Sequence, residues 1–136
     1  MTSPPNEQTR RLWSLPVMSQ EFDEGPQLVI KANELQLLYD FETDSGNYRW
    51  AALTFGGAEA VVFTSHESCN ERQVAAYDAL VEVINSPWLA SLQAPRVSPV
   101  RGLRHMRIYF DEVGCFEVAA TGFTAPSPSP APADGA

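Results

Sequence analysis

Cysteine is scarce. Cys69 and Cys115 are the only two in 136 residues. Two thiols make one bond at most, so a disulfide-stapled scaffold is excluded. Lysine is scarcer still: of nine cationic residues only Lys31 is a lysine. Seventeen acidic residues outweigh those nine, and the formal net charge is -8. That balance argues against a nucleic-acid binder, which works by neutralising phosphates. It permits a basic protein partner. No apolar run approaches the length of a membrane-crossing helix. The opening MTSPPNEQTRR lacks the apolar core of a secretory signal. A cytosolic location without membrane association is the default expectation. Gly56-Gly57 has no lysine after it and no strand-loop-helix setting, so it is no phosphate loop.

Hydrophobic residues make up 44% of the chain, enough for one soluble domain. The clearest signal is Leu103–Phe123, LRHMRIYFDEVGCFEVAATGF, which reads as a β-hairpin. Asp111-Glu112-Val113-Gly114 suits a three-residue turn closing on a glycine with positive φ. That turn sets Phe110 opposite Phe116, Ile108 opposite Val118 and Met106 opposite Ala120. These six share one apolar face. His105, Arg107 and Tyr109 share the other with Cys115, Glu117 and Ala119, and Arg107 and Glu117 form a diagonal charge pair.

Residues 1–27 read as a flexible N-terminal segment; Leu12–Met18 within it is apolar but broken by Pro16. Its expected place is an extended path over the core, or a docking peptide. Residues 28–123 read as one domain, and residues 124–136 as a disordered Pro/Ala/Ser tail. Leu28–Lys31, Glu34–Phe41 and Tyr48–Phe55 read as strands. Leu35, Leu37, Tyr39 and Phe41 fall on one face of the second. Gly56-Gly57 reads as a hairpin loop that returns through Ala58–Thr64 and pairs Trp50 with Phe63. Both faces of this hairpin are apolar, which points to cover on both sides or to association. Val74, Tyr77, Val81 and Ile84 recur at helical spacing, predicting a long helix over Glu71–Ile84. Ser86-Pro87 then caps a second, short helix. The predicted class is α+β: a single antiparallel sheet of about five strands, order βββαββ, with one main helix on one face.

His66, Cys69, His105 and Cys115 are the only imidazoles and thiols. A structural zinc needs four such ligands at one point. The hairpin places His105 opposite Thr121, about 20 Å along the strand from Cys115, so neither metal nor cofactor is expected. His66 and Cys69 remain as a candidate base and nucleophile at a helix start, without an orienting third group. Asp111 and Glu112 read as turn formers, and Asp40, Glu42 and Asp44 fit no cation loop. Tyr and Arg anchor many interfaces, so His105, Arg107, Tyr109 and Glu117 form one candidate binding row, with Trp50 and Phe63 a second surface.

The Arg107–Val118 stretch, RIYFDEVGCFEV, together with size and acidity, resembles small acidic immunity-type proteins of bacterial toxin systems and uncharacterised bacterial α+β families. The resemblance implies a protein that binds and blocks a partner without chemistry, and it carries over no residue roles. A non-enzymatic protein-binding module is the expected function. The rival is a small-ligand binder or enzyme with a pocket between helix and sheet, using His66, Cys69 or His105.

Overall fold

The computed structural model describes residues 7–126. Among these residues nine strands form two antiparallel sheets. In chain order the strands are β1 (Gln8–Ser14), β2 (Gln27–Lys31), β3 (Glu34–Glu42), β4 (Tyr48–Gly56), β5 (Ala60–Ser65), β6 (Ala79–Ile84), β7 (Arg104–Phe110), β8 (Gly114–Ala120) and β9 (Gly122–Thr124). Two helices interrupt them, α1 (Glu71–Val74) and α2 (Pro87–Gln93). The larger sheet runs β1-β6-β7-β8-β5 and the smaller β2-β3-β4-β9.

The core lies between the sheets. Leu35, Leu37, Leu53 and Phe55 come from the smaller sheet. Leu80, Met106, Ile108, Phe110, Phe116, Val118 and Ala120 come from the larger. Strand alternation explains this directly: each set is every second residue of its strands. Phe22 joins the layers, its ring 5.8 Å from Tyr39 and 5.5 Å from Phe110.

The α+β expectation of a single sheet with one main helix is therefore overturned. Two of its premises fail. Gly56-Gly57 does not close a hairpin: β4 pairs with β3 and β9, whereas β5 pairs with β8. The glycines let the chain cross from one sheet to the other, with Gly57 at positive φ. Trp50 thus pairs with Asp40, and Phe63 with Phe116, in different sheets.

The long helix also fails. Only Glu71–Val74 is helical, under a capping box in which Asn70 and Gln73 bond each other reciprocally. The chain turns at Asp78, whose φ is +54°, and continues as β6. Val81, Val83 and Ile84 are β-branched, and they pack better on a pleated sheet than on a helix turn. Tyr77, Val81 and Ile84 only imitate helical spacing.

The β7–β8 hairpin stands, with the expected division of faces. Its register differs by two residues: Tyr109 pairs with Cys115, Arg107 with Glu117 and His105 with Ala119. The loop keeps three residues but sits one position earlier than expected, because Glu112 itself adopts φ +58° and Val113 N–H reaches the Phe110 carbonyl at 3.1 Å. A shift of two keeps each side chain on its face. Gly114 has φ +141°, and a Cβ there would collide with the Thr64 carbonyl.

Residues 8–14, within the segment expected to be flexible, are edge strand β1. The N-terminal boundary of the domain therefore precedes residue 28. Of the tail expected over 124–136, Thr124 instead ends β9 and Ala125 packs against the core, and the part beyond Pro126 lies outside the described residues. Among the described residues no helix is long and apolar enough to cross a membrane.

Candidate functional site

Both faces of β7 and β8 are covered. The outer face of the larger sheet carries His105 and Arg107, each only 5% exposed. Helix α1 lies over β7 and β8, and α2 lies against β7. Between these covers is a cavity of about 310 Å³. Its floor is ionic, and Val62, Val83, Pro87 and Trp88 line its apolar walls.

The floor is one connected network. Glu117 Oε1 accepts from His105 Nε2 at 2.5 Å and from Arg107 Nε at 2.9 Å. Its Oε2 accepts from Gln73 Nε2 at 3.0 Å. The remaining guanidinium nitrogens of Arg107 donate to both oxygens of Glu7, at 3.0 and 3.1 Å. Burial alone pushes the Glu117 pKa up, but the His105, Arg107 and Gln73 donors outweigh it and hold the carboxyl at about 2. Burial opposes the Arg107 charge, and the Glu7 and Glu117 carboxylates outweigh that too.

On its other side, His105 Nδ1 meets Ser86 Oγ at 2.7 Å. Ionised Glu117 can only accept, so Nε2 carries a ring proton, and in the neutral ring Nδ1 accepts from the Ser86 hydroxyl. Ser86 Oγ in turn accepts the Leu89 N–H at 3.1 Å as the cap of α2. The order Ser86–His105–Glu117 resembles a hydrolytic relay in composition. Its serine is 7% exposed and its oxygen also holds the helix cap, so the chain of bonds orients the imidazole. Trp88 packs edge-on against His105, with ring centroids 4.8 Å apart.

The structure brings together three of the predicted site residues: His105, Arg107 and Glu117. Tyr109 shares their face but lies outside the cavity, packed with Ala76 and Cys115. The row is therefore not an open, outward surface. Trp50 and Phe63 are 41% and 49% exposed, on different sheets. His66 sits exposed in a turn, its N–H on the Val113 carbonyl. Cys69 Sγ contacts the Thr64 carbonyl at 3.5 Å, and burial pushes its thiol pKa up, the wrong direction for a nucleophile. Asp40 is consumed by backbone N–H groups of Asp23, Glu24 and Gly25. Among the described residues no cluster of three or more His, Cys, Asp or Glu could hold a metal ion.

Glu7, Gln73, Ser86 and Trp88 were not among the site residues expected from sequence. Ser86 and Trp88 had a signal, the Ser-Pro cap that starts α2 over the sheet. Glu7 had none, being one more acid in a polar N-terminal stretch. No family model, curated protein or solved structure matches this chain.

Proposed function

We propose that this protein binds a small molecule in the cavity on the outer face of the larger sheet. One observation carries the reading: a buried ionic network forms the floor of a cavity with apolar walls. Burying charges is expensive, and well-packed apolar residues of similar volume are often as stable or more so. Polar groups converging beneath apolar walls are the usual composition of a ligand site. The network is also held fixed, since every donor on its floor is already oriented by a partner. Such preorganisation lowers the cost of binding.

The test is a screen of small fragments by ligand-observed NMR, repeated on Trp88→Ala. Binding that is lost in the variant supports the site. Binding that survives Trp88→Ala, or no binding by any fragment, refutes it.

A second reading is the expected protein-binding module. Val62 and Phe63 are exposed on β5, an edge strand of the larger sheet. Unpaired edges invite strand addition by a partner. A partner found by co-purification whose binding is lost on Phe63→Ser but kept in Trp88→Ala would favour it. Loss in neither variant would place the interface elsewhere.

A further inference from the structure

We propose that Arg107 is the anion seat of this cavity, that its ligand carries a carboxylate on an apolar or aromatic body, and that Glu7 fills the seat until the ligand arrives. The proposal rests on the cavity being a ligand site and names the chemistry it takes.

Arg107 offers its planar fork to Glu7 through Nη1 and Nη2, at 3.0 and 3.1 Å. That two-point geometry is how a guanidinium recognises a planar carboxylate. The guanidinium lies in the cavity lining, with Glu7 beside it. Its other edge is fixed by Glu117, which accepts three side-chain donors from the middle of β8.

The two carboxylates differ in how freely they can leave. Withdrawing Glu117 would strand His105, Gln73 and Arg107 together. Glu7 makes no strand pair: the ladder of β1 begins at Gln8, opposite Ile84. Edge strand β1 therefore keeps its pairing if the Glu7 side chain swings away.

Charge selects the ligand. An anion added without displacing Glu7 would put three carboxylates around one guanidinium. An anion that replaces Glu7 leaves Arg107 with the two carboxylate partners it already has. The exchange is like for like, and Glu7 regains water. A neutral ligand gains nothing from the exchange, and a cation would face the fork of Arg107. Among the other lining residues, Val62, Val83, Pro87 and Trp88 suit an apolar or aromatic body, while Asn70 and the cationic Arg72 add polar lining that also favours an anion.

Glu7 is then an intramolecular competitor, and the apparent affinity falls by the fraction of chains with the seat open. If the closed state dominates by about ten to one, removing Glu7 tightens binding about tenfold. Benzoate is the probe and benzamide its uncharged isostere. Each is titrated calorimetrically into the full chain, its Glu7→Ala variant and its Glu7→Gln variant. A cooperative melt checks folding, and Glu7→Gln, which keeps the side-chain volume, serves if Glu7→Ala does not fold.

The expected result is benzoate binding about tenfold tighter in the variants than in the parent, with no such gain for benzamide. Equal benzoate affinity in all three chains overturns the seat and leaves the cavity reading intact. An equal gain for benzamide overturns it too, because Glu7 would then block volume and not charge. If benzoate binds none of the chains while other fragments bind and are lost on Trp88→Ala, the seat is wrong and the cavity remains a site. If no fragment binds at all, both readings fall.

Discussion

Arg107 and Glu117 stand directly opposite each other on neighbouring strands, joined at 2.9 Å, on the face of β7 and β8 turned away from the apolar core. Cross-strand ion pairs on open faces contribute little. This one is enclosed: the Arg107 side chain is 6% exposed and that of Glu117 is 13%. Enclosure raises the cost of removing either partner, because the charge left behind cannot recover its hydration.

Glu117→Gln should destabilise the protein at neutral pH by about 3 kcal/mol, because it breaks a buried pair and leaves Arg107 with Glu7 alone. The pH dependence has a definite sign. A carboxyl held at about 2 in the folded state titrates near 4.3 when unfolded. Its stabilisation is complete above the unfolded value and falls away as the pH drops from there toward 2. Urea unfolding of parent and variant between pH 7 and pH 2 should show the gap narrowing through that window. A gap that stays constant would mean that Glu117 acts by packing and not by charge.

Tyr109 provides a test of which face is core. The ring is 6% exposed, packs on Ala76 and Cys115, and lies 5.9 Å from the Tyr77 ring. Tyr109→Ala should therefore cost about 3 kcal/mol, as for other large buried aromatics. A surface residue would cost under about 0.5 kcal/mol. A denaturation midpoint close to the parent's would show that the cover over this face opens readily.

How much of the fold was legible in the sequence depended on how local the determining interactions are. Strands β2, β3 and β4 were readable within a residue at each end, because alternation and turn residues are local. So was the cap at Ser86, and so was the division of faces on β7 and β8. Sheet membership was not. Whether Gly56-Gly57 closes a hairpin or crosses between layers depends on where β8 and β9 lie, more than fifty residues on in the chain. Strand β6 was misread because Tyr77, Val81 and Ile84 satisfy a helical period by chance, while its partners are both distant: β7 follows about twenty residues later and β1 lies far back near the N-terminus. The site was half visible. His105, Arg107 and Glu117 form a polar row on a strand face, and alternation exposes that. Their enclosure by α1, α2 and Glu7 is tertiary, and no spacing reports it.

Asp40 shows the same difference between an acid's sequence neighbours and its true partners. It stands among Glu42 and Asp44, yet its carboxylate is 2% exposed and faces another segment. Oδ1 accepts the N–H groups of Asp23 and Gly25, at 3.1 and 3.0 Å, and Oδ2 accepts that of Glu24 at 2.7 Å. Three backbone donors on the loop entering β2 thus close on one side chain. A hydrogen bond to a charged group contributes about 1.5–3 kcal/mol, and Asp40 accepts three of them. Asp40→Ala should therefore cost about 3 kcal/mol, more than the loss of a single charged hydrogen bond. Asp40→Asn should cost less, since its carbonyl oxygen still accepts. The specific signature is local: amide exchange at residues 23–25 should accelerate in Asp40→Ala well beyond the change in the β7–β8 hairpin. Uniform acceleration across both regions would assign Asp40 to global stability instead, with the loop held by its other contacts.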